Sequence, residues 1–181
     1  MKTMKYYLLG ILAMSIISCE TDDSDTDETL PTFSFRITGD GFTRTFTQDD
    51  DFENLQLNLR HDVDYDFILS GGDAGGTKII QMQYPKDYIE FTSDEAFPLP
   101  PWELVFPSSS LSAIVQWEGD PDNPLTGSIL NGTLRPNGDL VSIDLYFRVE
   151  DFGGASGSSN VTDGSLNTLI DDHETEVITF N

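Results

Sequence analysis

Oxygen-bearing side chains dominate the residues of this chain that could do chemistry. Asp62, Asp64 and Asp66 alternate along one short stretch. Asp120-Pro121-Asp122-Asn123 places three oxygen side chains within four residues, and Asp73 and Asp151 each border a glycine-containing loop. Such oxygens are the ligands Ca2+ takes, at roughly 2.3–2.6 Å. The Asp62–Asp66 trio suits that chemistry poorly, because same-face neighbours on a strand lie about 6.6–6.8 Å apart. It reads as a solvated acidic strand face. Asp73 with Asp151, and Asp120, Asp122 and Asn123, are the calcium candidates. Neither set follows EF-hand spacing, and Asp and Asn are also ordinary turn formers.

Nucleophilic catalysis has less to draw on. Of the two histidines, His61 falls at an expected bend and reads as structural. His173 sits in the acidic turn Asp171-Asp172-His173-Glu174. There is no Gly-x-Ser-x-Gly elbow, no glycine-rich phosphate loop ahead of a helix, and nothing that singles out a carboxylate pair for glycoside hydrolysis. Trp102 follows Pro98, Pro100 and Pro101 and is the candidate for a ligand-binding or sugar-stacking surface. Trp117 shares the inward phase of its strand and reads as core.

Charge narrows the partners. The 181 residues include 9 basic and 32 acidic side chains, a net of −23. Phosphate backbones are repelled, which argues against nucleic acid. Anionic headgroups are repelled too, so any membrane contact has to come from lipid. Hydrophobic content of 38% and aromatic content of 11% are enough for a packed core.

The chain opens Met1-Lys2-Thr3-Met4-Lys5, followed by a largely apolar run of 12 residues from Tyr6 to Ile17 and then Ser18-Cys19. A bilayer-spanning helix needs about 20 apolar residues, so this run is a secretory signal and not a span. Ile16-Ile17-Ser18-Cys19 resembles the lipobox of bacterial lipoproteins. The resemblance covers Met1 to Cys19 and implies cleavage after Ser18 with a diacylglycerol on the thiol of Cys19. Ile17 departs mildly, since a small residue is commoner there. Cys19 is the only cysteine, so no internal disulfide can form. Removing the first 18 residues leaves 163 and takes away Lys2 and Lys5, so 7 basic residues face 32 acidic ones, a net of −25. Six of the nine residues from Glu20 to Glu28 are carboxylates. Self-repulsion should keep that run extended as a tether. It is similar to the acidic stretches behind the lipidated cysteine of surface-exported lipoproteins in some Gram-negative bacteria. That implies the outside of the outer membrane.

The tether, residues 19–31, must carry a body built from strands. Phe33, Phe35 and Ile37 alternate with polar residues, Gly39-Asp40-Gly41 turns, and Phe42, Arg44 and Phe46 alternate again: a hairpin pattern. From Leu55 to Leu69 the apolar residues keep to odd positions, with a break expected near Arg60-His61-Asp62. Residues 71–76 form a turn, and strands are expected at 78–84, 88–91, 111–117 and 177–180. Residues 127–135 and 140–150 are expected to pair as a hairpin across Pro136-Asn137-Gly138-Asp139. The proline-rich run through Trp102 is expected to pair poorly.

This pattern predicts one all-β domain over residues 32–181, an antiparallel Ig-like β-sandwich, with an up-and-down barrel as the structural alternative. Tyr65 to Ile80 resembles the second and third strands of bacterial Ig-like domains, and Leu145 to Ser156 resembles their late core strand. The expectation for function is a non-enzymatic, lipid-anchored surface module with an unknown protein or glycan partner. The alternatives are a calcium- or glycan-binding module and a small hydrolase. No cofactor other than calcium is indicated.

Overall fold

The computed structural model describes residues 28–93, 102–105, 111–122, 124–125, 127–153 and 158–180, with backbone alone at 102, 104, 105 and 128. Cys19 and Asn123 lie outside the described residues, as does the side chain of Trp102. The described residues form strands, with a single 3-10 turn at Phe52–Asn54. In chain order they are β1 Thr32–Gly39, β2 Phe42–Thr47, β3 Leu55–Arg60, β4 Tyr65–Gly72, β5 Thr77–Pro85 and β6 Ile89–Ser93. Then come β7 Trp102–Val105, β8 Ser112–Glu118, β9 Ser128–Pro136, β10 Val141–Asp151, β11 Val161–Asp171 and β12 Glu176–Thr179.

They build two sheets, β2-β1-β4-β9-β6 and β12-β3-β11-β10-β5-β8-β7. Two layers with free edges make a sandwich, and the closed-barrel alternative falls. The inner faces are the alternate positions of each strand. Phe33, Phe35, Phe46 and Phe67 from the small sheet meet Leu145, Phe147, Ile80 and Met82 from the large one, all buried. Phe147 stands 4.6 Å from Phe35 and 5.6 Å from Phe33, ring centre to ring centre, so the aromatic contact crosses between layers.

The β1–β2 hairpin forms as its pattern predicts, with Phe35 opposite Phe46. Its turn has φ of 51° at Asp40 and 74° at Gly41, and positive φ at both central residues suits the strand twist. The expected break after Arg60 is present, with Asp62 at φ 60°. Its consequence is larger than a bend, since β3 joins the large sheet and β4 the small one.

Three expectations are corrected. β9 and β10 do not form a hairpin: β9 pairs with β4 and β6, while β10 pairs with β11 and β5. Leu130 and Leu134 face the core from one layer and Ile143, Leu145 and Phe147 from the other. The Asn137-Gly138 segment therefore crosses between sheets, and the left-handed residue there is Leu140, at φ 51°. The sandwich is not wholly antiparallel either, because β3 and β11 run parallel. Finally, Trp102 opens a paired strand, with its backbone opposite Trp117.

Strand β11 had no clear pattern because a glycine and a threonine hold inward positions. Thr168 is fully buried. A Cβ on Gly164 would lie 2.7 Å from the Phe52 ring and 3.2 Å from the Phe33 ring, so that position must stay bare for the aromatic layer to close over it.

One end of the sandwich, the near end, gathers the 72–77 turn, the starts of β1, β9 and β11 and the ends of β8 and β10. The far end gathers the turns at 40–41, 61–64, 86–88, 137–140 and 172–175. Phe35 has no exposed surface, and it touches the rings of Phe46, Phe67 and Phe147. Phe35→Ala should cost about 3–5 kcal/mol. Urea unfolding should show a lower midpoint at an unchanged slope.

Candidate functional site

Asp73 and Asp151, the first calcium pair, both sit at the near end. Thr77 pairs with Asp151 across β5 and β10, and Phe152 N donates to Gly76 O at 3.3 Å. Asp151 is only 1% exposed. Its Oδ1 accepts from Gly153 N at 2.8 Å and Asn160 N at 2.6 Å, and its Oδ2 from Asn160 Nδ2 at 2.7 Å. This carboxylate ties Gly153 to Asn160. Asp73 Oδ2 accepts from Gly75 N at 2.6 Å and shapes its own turn. Asp120 Oδ1 does the same with Asp122 N at 2.8 Å. Among the described residues no group of three His, Cys, Asp or Glu is placed to hold a metal ion.

Asp62 and Asp64 share Arg135, whose guanidinium lies 3.6 and 3.0 Å from them. Asp66 accepts from Thr133 Oγ1 at 3.5 Å. The acidic strand face is thus partly neutralised from β9. His61, its side chain 39% exposed, has Nδ1 3.4 Å from Asp62 Oδ2. His173 is 76% exposed beside Asp171 and Asp172. Each histidine meets carboxylates, and among the described residues neither side chain hydrogen-bonds a hydroxyl group.

Two polar networks were not legible in the sequence. At the far end Asp40 accepts from Arg60 Nη1 at 2.8 Å, Thr175 N at 3.1 Å and Thr175 Oγ1 at 3.0 Å. Tyr65, fully buried, accepts from Arg60 N at 2.9 Å and shares a short hydrogen bond with Thr175 Oγ1. Burial pushes the Tyr65 hydroxyl above its ordinary range, against the opposing pull of Thr175. The network ties the β1–β2, β3–β4 and β11–β12 turns together. Gly39-Asp40-Gly41 signalled only a turn; nothing nearby in sequence pointed to partners 20 and 135 residues away.

The second network centres on Glu150, on the outer face of the large sheet. Lys78 Nζ and Arg148 Nη2 each lie 2.5 Å from its carboxylate, and Ser159 Oγ donates at 2.9 Å. Burial would raise the pKa of Glu150, but the hydrogen bonds from Lys78, Ser159 and Arg148 together hold it below the ordinary carboxylate range. The side chain is only 7% exposed.

The outer sheet faces carry open grooves. On the large sheet, Gln83, Ser112, Asp144, Tyr146 and Ser165 line a groove of about 440 Å3. On the small sheet, Arg36, Thr38, Asp66, Ile68 and Asn131 line one of about 380 Å3. A third, of about 450 Å3, lies beside it over Asp64, Glu90 and Arg135.

No family model matches the chain, and neither does any curated protein. Among solved structures it is similar to the cohesin module of a family 33 glycoside hydrolase from Clostridium perfringens. Identity is 12%, over 65% of this chain and 97% of that one, with a TM-score of 0.36. It is also similar to a non-cellulosomal cohesin from the hyperthermophilic archaeon Archaeoglobus fulgidus. Identity is 13%, over 65% of this chain and 89% of that one, with a TM-score of 0.35. Overlap at this level assigns neither a partner nor an activity.

The Glu150 network gives a signed pH dependence. Its folded pKa lies below the ordinary value of 4.5, so its contribution to stability is present above that value and is lost as pH falls through the folded one. Glu150→Gln should therefore be less stable than the parent at neutral pH. The gap should shrink below about pH 4. Thermal unfolding of both proteins from pH 7 to pH 3 measures it.

Proposed function

We propose that this protein is a lipid-anchored β-sandwich on the bacterial outer membrane, held off the bilayer by an acidic stalk and acting as a non-enzymatic interaction module. The observation that carries the reading is the direction of the chain at the near end. Strand β1 starts at Thr32, directly behind the acidic run, and Asn160 Nδ2 donates to Thr29 O at 3.3 Å. A tether from Cys19 therefore reaches the domain at its near end. That arrangement turns the far-end loops and both outer sheet faces toward the medium.

Thirteen residues, 19–31, connect the thiol to β1. Fully extended they reach about 45 Å, more than several Debye lengths at physiological salt. A strongly negative body can hang at that distance without its charge opposing the anchor. Two or more acyl chains supply the binding, at about 0.8 kcal/mol per buried methylene.

Interaction is favoured over hydrolysis by what surrounds the histidines. His61 has Asp62 as its side-chain partner, and the grooves on the body are open sheet-face surfaces lined by hydroxyls, amides and paired charges. Such surfaces suit recognition, since they present donors and acceptors without excluding water from a reacting group.

The anchor is tested by growing cells with an alkyne-tagged fatty acid. The wild-type chain should carry the label, and its mature form should begin at Cys19. Cys19→Ser should carry none. An unlabelled wild type, or a labelled variant, would sink the proposal.

A further inference from the structure

Basic side chains are scarce in this chain, 9 against 32 acidic, and the arginines are nearly all spent on carboxylates. Arg44 pairs with Asp50, Arg60 with Asp40, Arg135 with Asp64 and Arg148 with Glu150. Arg36 is different. Among the described residues it is the one arginine without a carboxylate within 4.0 Å, and its guanidinium makes no hydrogen bond. It is exposed on the outer face of the small sheet. A free guanidinium in so acidic a protein marks a place where opposite charge has been kept away from a five-donor fork.

Its neighbours are set by strand register. Arg36 stands opposite Ile68, and Ile68 opposite Asn131. The two polar side chains thus flank Ile68, separated by two strand spacings, about 9.5 Å between their backbones. Asn131 Oδ1 is buried and accepts no hydrogen bond. An amide oxygen left so costs about 1–3 kcal/mol unless water or a ligand satisfies it. In the next rank Thr38 stands opposite Asp66. Asp66 is exposed, and its Oδ1 takes only the long bond from Thr133. The groove over these residues holds about 380 Å3, within the range of about 300–1,000 Å3 seen for small-molecule sites.

The set consists of one donor fork, an exposed carboxylate acceptor, an amide whose oxygen has no partner, and an apolar floor. A phosphate or sulfate would need donors alone, and Asp66 would repel it. A polyanion would meet the same carboxylate and the net charge of the whole surface. A peptide strand would need an open backbone edge, and here β1, β4 and β9 are all paired. A sugar ring fits each requirement. Its hydroxyls both donate and accept, neighbouring hydroxyls can take the two prongs of a guanidinium, and its C–H face can rest on Ile68.

We infer that this groove, between Arg36 and Asn131 over Ile68, binds a ring of a neutral saccharide. The site does not depend on the anchor. Loss of sugar binding would leave acylation of Cys19 intact, and loss of acylation would leave sugar binding intact.

The test uses the full-length protein in a detergent that contains no sugar. Maltotriose, cellotriose, mannotriose and xylotriose are titrated by calorimetry and saturation-transfer NMR, with trigalacturonate as the anionic control. At least one neutral trisaccharide should bind with Kd near about 1 mM, and trigalacturonate should bind roughly tenfold more weakly or not at all. Arg36→Ala and Asn131→Ala should each weaken the neutral sugar by roughly tenfold without lowering the melting temperature, while Arg44→Ala should leave Kd unchanged. The inference is overturned if no neutral trisaccharide binds up to about 20 mM, if trigalacturonate binds as well as or better than the neutral sugars, or if Arg44→Ala weakens binding as much as Arg36→Ala does.

Discussion

The contact between Phe35 and Phe147, 4.6 Å apart across the two sheets, stands for the constraint on which the rest of the structure depends. With a single cysteine there is no internal disulfide to hold the layers together. A net charge of −23 works against compaction. Cohesion must therefore come from apolar and aromatic burial between the sheets. Phe33, Phe35, Phe46, Phe67 and Phe147 lie at its centre, with Gly164 left bare so that the rings of Phe33 and Phe52 can close over it. Alternation along each strand is the sequence's way of meeting that demand.

The same scarcity of positive charge shapes the polar structure. Each of the two polar clamps spends basic side chains on a carboxylate: Arg60 on Asp40 at the far end, and Lys78 with Arg148 on Glu150 at the outer face of the large sheet. Carboxylates with no cation nearby are satisfied by backbone and amide donors instead, as Asp151 is by Gly153 and Asn160. Asp73, Asp120 and Asp151 accept backbone amides and so shape the segments that carry them. Against that background an arginine left without a partner on an open sheet face stands out, and Arg36 owes its significance to how fully the others are used.

Period-two patterning made most of the body legible. The strands around Phe35, Phe67, Met82 and Phe147 could be read directly, because each places a run of large apolar residues on one face. What could not be read was which sheet a strand would join. Asn137-Gly138 has the composition of a tight hairpin turn, yet β9 and β10 belong to different sheets, and the left-handed conformation falls on Leu140. Local turn chemistry does not record whether the chain folds back within a layer or passes to the other one. Strand β11 was hidden because Gly164 and Thr168 stand where the pattern needs large apolar groups. The candidate groove was hidden for a related reason. Arg36, Asp66 and Asn131 are far apart in sequence and become neighbours only through the register of β1, β4 and β9.

The proposed display at the surface would link the anchor, the stalk and the sandwich, and it has a direct test. Intact cells are treated with a glutamate-specific protease, which can reach the chain at Glu20 and Glu28 in the stalk. The account predicts that the β-sandwich is shed from intact cells while periplasmic proteins stay whole. Protection of the domain until the outer membrane is permeabilised would contradict it.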